Sequence, residues 1–349
     1  MGKFSVKHLI RTRLNWGLVL IILGLVILLI LPQFLSPFLL SLAILILFWA
    51  YLGQCWNIMT GYTGQFSFGH AAYFGIGAYT STWLLVNMGV NPWIGMIIGG
   101  IFAMLFGLFV GYLAFRSGLR HIYFALTTFA FAMVLLFTSS NLAIINKTMG
   151  IQVPLIGGDS WLHFQFETTR VPYYYIMLGM MVVSIIVTYL IGRSKLGYYF
   201  KAIREDQDAA ASLGVNLLRY KMTGMGISSF MTALGGTFYA QYFYYIDPDL
   251  VFGFFLNVEI LLAPVLGGVG TLFGPVLGAL VLTPLSELTR ALIRQPPGFL
   301  PFLLALQGRA GVDIMLYGLI LIVVIIFLPQ GLVGWIRRLG RRGHRYLEV

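Results

Sequence analysis

Long apolar stretches alternate with short polar ones along almost the whole chain. A helix that crosses the hydrocarbon core of a bilayer needs about 20 largely apolar residues. Ten stretches reach or approach this length, at 15–31, 38–58, 71–88, 93–115, 122–144, 173–192, 222–245, 257–271, 273–290 and 311–328. The pattern predicts an all-α integral membrane protein, a bundle of about 8–10 transmembrane helices in a single domain, residues 1–349. The third, eighth and ninth stretches are short or rich in glycine, which is typical of broken or re-entrant helices.

A basic N-terminus precedes the first apolar stretch, and this order is also that of a signal peptide. The stretch leads into Pro32-Gln33-Phe34 rather than into a small-residue cleavage site, and a second apolar stretch follows at once. We therefore expect a retained first helix.

The composition suits a surface that faces lipid. Apolar residues make up 59% of the 349 residues and charged residues 9%, whereas soluble domains carry about 25% charged residues. Cys55 is the single cysteine, which excludes an internal disulfide and a thiolate metal cluster. The five histidines are scattered without the spacing of a metal site. We predict neither a metal site nor a cofactor.

The positions of lysine and arginine predict the orientation, because these residues are enriched in cytoplasmic loops. With a cytoplasmic N-terminus and ten crossings, the cytoplasmic segments hold 17 of the 22 basic residues. This topology places the loop at about 193–221 and the basic tail 337–349 in the cytoplasm. The loop at about 145–172 is then external and long enough to form a short interfacial helix. The net charge of +11 reflects topology rather than nucleic-acid binding. If residues 257–290 crossed the membrane once instead of twice, the C-terminal end would lie on the external side.

The chain lacks the sequence patterns of an enzyme. No phosphate-binding loop of the form G-x-x-x-x-G-K-[S/T] occurs, and no Ser, His and Asp lie on soluble loops in a catalytic arrangement. If the protein pumps a solute, the energy must come from a partner subunit or from an ion gradient.

The loop 193–221 contains a short alanine-rich motif. Asp208-Ala209-Ala210, followed by three residues and Gly214, predicts a compact helix with an acidic residue near its positive end and a glycine where it stops. Its small side chains leave a smooth face that a cleft in another protein would accept. The alternative is a surface helix that only joins two spans.

Residues 61–79 combine many glycines with Gln65, Ser67 and His70. Glycine in a helix interior costs about 1 kcal/mol relative to alanine, and unwound backbone at membrane depth occurs only where protein or water satisfies it. Discontinuous helices of this kind often line transport routes, although close helix packing through small residues is the alternative. No carboxylate lies within one helical turn of His70, so we do not expect a proton relay.

A second glycine-rich stretch occupies residues 266–279 and includes Pro275. Because proline lacks the backbone donor that a continuous helix needs, we expect a kink or a break here. Glu259, just before this stretch, is the most deeply placed carboxylate of the predicted spans. An ionisable group in a membrane helix indicates function by default, but a structural pairing or a water-facing position explains it equally well.

The motifs resemble those of a known family. Asp208-Ala209-Ala210-x-x-x-Gly214 is similar to the Glu-Ala-Ala-x-x-x-Gly loop of ABC importer permeases, with Asp208 in place of glutamate. The preceding residues 201–206 resemble more narrowly the permeases of branched-chain amino acid importers, the LivM-type membrane subunit. Four further motifs are similar to those of the same family. They are Gly64-Gln65-x-Ser67-x-Gly69-His70-Ala71, the stretch 266–279, Arg120-x-x-Tyr123-x-Ala125-x-x-Thr128 and Leu328-Pro329-x-Gly331-Leu332. The resemblance covers about residues 40–332.

The resemblance implies a function and a set of partners. The chain would be the permease of an ATP-driven importer that moves leucine, isoleucine and valine across the prokaryotic cytoplasmic membrane as a multi-pass protein. Its partners would be two ATP-binding cassette subunits, which hydrolyse the ATP, a second related permease chain that makes a heterodimer, and an external substrate-binding protein. The alternatives are the same machinery for urea or short-chain amides, and an ATP-independent secondary transporter.

The resemblance and the patterns above together indicate two groups of functional residues. The predicted ATPase-coupling residues are Arg204, Glu205, Asp206, Asp208, Ala209, Ala210 and Gly214, with Arg204 and the acidic residues at the rim of the docking surface. The predicted pathway residues are Gly64, Gln65, Ser67, Gly69, His70, Glu259, Gly267, Gly268 and Gly270.

Overall fold

A computed structural model of the chain describes residues 23–155 and 157–294, the segment 331–335 and a few single positions between 315 and 338. The start of the first predicted span, most of the span 311–328 and nearly all of the basic tail 337–349 lie outside the described residues.

The described chain is a bundle of helices with short connections. The helices are α1 (Leu23–Gln33), α2 (Pro37–Asn57), α3 (His70–Met88), α4 (Pro92–Arg116), α5 (His121–Asn141), α6 (Val171–Arg193), α7 (Lys195–Glu205), α8 (Gln207–Ser212), α9 (Leu217–Phe243), α10 (Pro248–Phe252), α11 (Phe254–Gly267) and α12 (Gly274–Arg294). Two short strands, β1 (Ile151–Gln152) and β2 (Tyr245–Ile246), pair antiparallel.

Local sequence determines where several of these helices begin. Ser36 and Asn91 accept hydrogen bonds from the first turns of α2 and α4, and each is followed by a proline. A capping side chain satisfies a backbone N–H that lacks a partner within the helix, and proline at the first position has no N–H to satisfy. Asn216 and Asp247 cap α9 and α10 in the same way.

Five helical segments are long and apolar enough to cross a membrane, namely Pro37–Tyr62, Pro92–Arg116, His121–Asn141, Val171–Arg193 and Pro248–Gly267. α3, α9 and α12 are also long enough but are less apolar. The fold class predicted from the apolar pattern, an all-α integral membrane protein, is confirmed.

α3 and α9 are less apolar because they pack against other helices. A Cβ atom added at Gly77 of α3 would overlap the carbonyl oxygen of Ala233 in α9, and one added at Gly236 of α9 would overlap that of Phe74. Glycine thus brings the two backbones into direct contact, and α4 packs against both helices. Helices enclosed in this way need little apolar surface for lipid.

The loops group at two ends of the bundle as the predicted order of crossings requires. At one end, Arg120 Nη1 lies 2.8 Å from Asp208 Oδ2, which joins the α4–α5 turn to the loop 193–221. At the opposite end, Trp93 Nε1 donates to the carbonyl oxygen of Trp161 over 2.8 Å. The assignment of the first end to the cytoplasm stays a prediction.

Two expectations about the loops require correction. The external loop forms no α-helix among its described residues before α6 begins, and instead contains the 3-10 turn Lys147–Met149 and strand β1. The strand pairs with β2 at the end of α9, so backbone hydrogen bonds replace a helix there. α9 begins at Leu217, inside the predicted loop 193–221, because Asn216 caps it.

The predicted spans 257–271 and 273–290 are two separate helices. α11 and α12 run antiparallel, since Gly267 lies against Gly274 and Ala263 lies against Gly278. The predicted break is therefore present, at residues 268–273, immediately before Pro275. α3 is continuous, and the break of the first glycine-rich stretch precedes it.

Cysteine labelling tests the orientation. In a Cys55→Ala background, a cysteine at exposed Thr169 will react with a membrane-impermeant maleimide from outside, and a cysteine at exposed Ser212 only after the membrane is opened. The reason is the excess of basic residues predicted on the side of Ser212. Cys55 is fully buried and is removed only to exclude background. Equal labelling of both positions in intact cells would contradict the topology.

Candidate functional site

α8 is a short helix whose ends are fixed by its own sequence. Asp206 precedes it, and its Oδ1 accepts hydrogen bonds from the N–H groups of Asp208 (2.8 Å) and Ala209 (3.0 Å). At the other end Gly214 adopts φ +84° and donates to the carbonyl oxygen of Ala211. The left-handed conformation favours glycine, so the motif forms the compact helix that it predicts, beginning at Gln207.

α8 has one buried face and one exposed face of small residues. Ala210 is 3% exposed, so it packs inside the chain and offers no surface to a partner. Ala209, Ala211 and Ser212 are exposed and form the small-residue face. The side chain of Ala210 is therefore not available to a partner, and docking through its exposed neighbours stays a prediction.

Two basic side chains hold α8 against the bundle. Arg120 makes two bonds of 2.8 Å to the Asp208 carboxylate, and these bonds keep the pKa of Asp208 below its usual range. Lys221, in the first turns of α9, donates to Gln207 Oε1 over 2.6 Å. Lys221 is 4% exposed and lies over the Phe115 ring.

Arg204, at the end of α7, points inward rather than lying free at the rim. Its Nη1 donates to the carbonyl oxygen of Gly61 over 2.9 Å, and its Nη2 lies 3.0 Å from Glu205 Oε1. A Cβ atom at Gly64 would lie 2.8 Å from Arg204 Cγ, and one at Gly270 would lie 2.6 Å from Arg204 Nη1. One guanidinium therefore contacts both glycine-rich stretches.

The first glycine-rich stretch, residues 61–79, is unwound only in its first part, before α3 begins at His70. α2 continues into the wide turn Ile58–Tyr62, and residues 63–69 are not helical. Gln65 and Ser67 are buried here, and their carbonyl oxygens accept hydrogen bonds from Thr60 Oγ1 (3.1 Å) and Trp56 Nε1 (2.8 Å). Protein side chains thus satisfy a backbone that could not face lipid. Whether this stretch lines the pathway stays a prediction.

His70, the first residue of α3, connects three helices. Its Nε2 lies 2.8 Å from Ser228 Oγ in α9, and Ser228 Oγ donates to the carbonyl oxygen of Cys55 in α2 over 2.7 Å. The Ser228 hydroxyl has a single hydrogen and donates it to the carbonyl oxygen of Cys55. Ser228 Oγ therefore accepts from His70, whose Nε2 carries the hydrogen. This arrangement is a fixed crosslink. Gly69 beside it allows close contact with Thr128, whose Cβ would lie 2.9 Å from an added methyl group.

The second glycine-rich stretch forms the tight turn between α11 and α12. Gly268 and Gly270 have φ values of +126° and +75°, which other residues rarely adopt. Gly331, also at positive φ, packs on Gly268. The turn lies at the same end of the bundle as α8, because Arg204 reaches it. Glu259 is about 12 Å away along α11, at 1.5 Å per residue from Gly267, and does not belong to this cluster.

Two asparagines that the sequence patterns did not single out connect these parts. Asn57 is fully buried, and its side-chain amide accepts from Gly270 N (2.7 Å) and donates to the carbonyl oxygen of Thr271 (2.9 Å). Asn257 Oδ1 accepts from Ala71 N over 2.8 Å and so caps α3 from α11. An asparagine within an apolar run is the only sequence sign of either role.

A cavity of about 550 Å³ lies between α2, α4, α6 and α9. It is lined by Tyr51, Met104, Met180, Val183, Val187, Gly226, Ile227, Phe230, Met231 and Leu234. The Tyr51 hydroxyl already donates to the carbonyl oxygen of Met231. A zwitterionic amino acid would find no partners for its charged groups there.

A family model for the permease component of branched-chain amino acid transport systems matches residues 38–327. The chain belongs to this family. The permease is thus a multi-pass protein of the prokaryotic cytoplasmic membrane, as the sequence predicts, and the family is one of transport proteins rather than enzymes.

Curated relatives agree with this assignment. The permease is 30% identical over 280 residues to the high-affinity branched-chain amino acid transport system permease protein LivM of Escherichia coli K12, covering 73% of this chain and 65% of the relative. It is 24% identical over 294 residues to LivH of Salmonella typhimurium, covering 80% and 89%. It is 24% identical over 281 residues to the probable LivM of Methanocaldococcus jannaschii, covering 75% and 77%. The chain thus spans about two thirds of the length of the first LivM relative. No solved structure matches the permease significantly.

Proposed function

We propose that this permease is the membrane subunit of an ATP-driven importer of branched-chain amino acids. Two ATP-binding subunits would dock on α8 and hydrolyse the ATP, and an external binding protein would deliver the solute. A second, related permease chain would complete the pathway. The family and the names of the relatives support this cargo.

The observation that carries the proposal is the position of Arg204. It lies at the end of α7, three residues before α8 begins, and its guanidinium donates to Gly61 and lies against Gly270. A surface suited to docking is thereby joined directly to both unwound stretches of the bundle. An ATP-independent carrier binds no ATPase and would not need a connection between an exposed loop and the unwound stretches.

Movement of the α7–α8 segment would act first on these stretches. Residues 63–69 and 268–273 are not helical, and they connect rigid helices at the end of the bundle that carries α8. Short non-helical segments of this kind absorb the backbone changes of a hinge. A displacement of Arg204 would shift both segments together and rock α2, α3, α11 and α12 around the pathway.

Copurification and uptake test this proposal. The permease, purified from its native membrane, will copurify with an ATP-binding subunit, and vesicles of that membrane will import labelled leucine only when ATP is present inside them. Import of labelled urea without leucine would assign the other cargo, and leucine import without ATP would identify a secondary transporter. Either result would overturn part of the proposal.

Bulk on the exposed face of α8 will block docking. Ala209→Trp adds an indole to a small-residue face without disturbing the buried Ala210. We expect at least a ~10-fold loss of copurified ATP-binding subunit at equal membrane abundance, equivalent to about 1.4 kcal/mol of binding free energy. Ala143→Trp, an exposed alanine at the opposite end of the bundle, is the control. Normal copurification of Ala209→Trp would remove α8 as the docking site.

A further inference from the structure

The motif that begins at Arg120 has no role in the function proposed above. Arg120 precedes α5 and extends its guanidinium to α8, where Nη1 and Nη2 each lie 2.8 Å from one oxygen of the Asp208 carboxylate. The planar guanidinium matches both carboxylate oxygens at once, which fixes orientation as well as distance. Lysine could not reproduce this geometry.

α8 depends on such contacts because six residues do not form a stable helix alone. The bond from Lys221 to Gln207 attaches α8 to α9. The pair between Arg120 and Asp208 attaches it to α5 as well. Both side chains of the pair are substantially exposed, at 44% and 73%. Exposed ion pairs contribute little to the stability of a fold. The role of the pair between Arg120 and Asp208 is therefore to position α8 relative to α5.

α5 leads from this pair to the first glycine-rich stretch. Two turns after Arg120, Thr128 is buried, and its Oγ1 accepts a hydrogen bond from Phe68 N over 3.1 Å. The Thr128 backbone also lies against Gly69, where a Cβ atom would be 2.8 Å from the carbonyl oxygen. The spacing Arg120-x-x-Tyr123-x-Ala125-x-x-Thr128 therefore places one residue on α8 and another on the unwound stretch, along a single helix.

We propose that Arg120 is a positioning residue for coupling, which makes α5 a rigid strut between α8 and the unwound residues 63–69. When a docked ATPase moves α8, the strut pushes on Phe68 and Gly69 while Arg204 pulls on Gly61. The two connections act just before and at the end of the non-helical residues 63–69. This inference rests on the proposed function. It adds a second connection between α8 and the first glycine-rich stretch, beside the connection through Arg204.

The test measures solute imported per ATP hydrolysed by the complete transporter in proteoliposomes. We expect Arg120→Gln to lower this ratio at least fivefold, and Asp208→Arg to lower it as well. The double exchange Arg120→Asp with Asp208→Arg should restore the ratio to within twofold of wild type. A purely structural role would change the abundance of the transporter but would not move this ratio.

Two further variants complete the design. Thr128→Val keeps the shape of the side chain but removes the acceptor of Phe68 N, and it should lower the same ratio. Arg116→Gln, an arginine four positions earlier that contacts Tyr112 of its own helix, is the control. A ratio within twofold of wild type in Arg120→Gln, or an exchange no better than the single variants, would overturn the inference. Failure of the wild-type chain to bind any ATP-binding subunit would overturn the proposed function itself.

Discussion

Alanine at position 267 will destabilise the permease strongly. The added methyl group would overlap the carbonyl oxygen of Gly274 and lie 2.9 Å from the backbone nitrogen of Gly278. Both obstacles are backbone atoms, so α11 and α12 must separate. We expect a loss of about 3 kcal/mol and a Tm lowered by roughly 4 °C in thermal unfolding of the purified protein.

Gly179→Ala provides the matched control. Gly179 lies inside α6 with no atom near the position of an added Cβ. Alanine there favours the helix by up to about 1 kcal/mol, so its Tm should not fall. Equal Tm values for the two variants would show that α11 and α12 are not in backbone contact.

Removal of the Asn57 side chain will have the second large effect. Asn57→Ala leaves the N–H of Gly270 and the carbonyl oxygen of Thr271 without their partner in a half-buried turn. Each unsatisfied group costs about 1–3 kcal/mol, and the turn that Arg204 contacts loses its support. Both the Tm and leucine uptake at equal membrane abundance should therefore fall.

The control for this variant is another asparagine. Asn141 is exposed at the end of α5 and bonds only within its own helix, to Phe137. Asn141→Ala should leave the Tm and uptake unchanged. If Asn57→Ala behaved in the same way, the turn would be held by its glycines alone.

Features determined by nearby residues could be predicted from the sequence. Glycines with Gln65 and Ser67 cannot form a lipid-facing helix, and the chain is unwound there. Asp206 and Gly214 terminate α8 through bonds within three residues. Pro275 stands at the start of α12, where the predicted break lies. Each of these outcomes follows from local backbone chemistry.

Features that depend on distant residues could not be predicted. Arg204 looks like an exposed charge in the sequence, and only the fold brings it to Gly61. The partner of Asn57 lies more than 200 residues away. Ala210 and Ala209 are chemically identical, so the sequence does not indicate which of them faces inward. Pairings of this kind arise from the packing of whole helices, which a single sequence does not specify.

The close contact between α3 and α9 affects how the permease is made. α3 is less apolar than the helices that are apolar enough to cross a membrane. In the folded protein it is enclosed by other helices, and α9 is one of them. The ribosome adds all of residues 89–216 between the two, which takes on the order of 10 s at 5–20 residues per second. During that interval Gly77 of α3 lacks Ala233, the residue of α9 that it contacts in the folded protein. The contact between α3 and α9 therefore forms late in the synthesis of the chain.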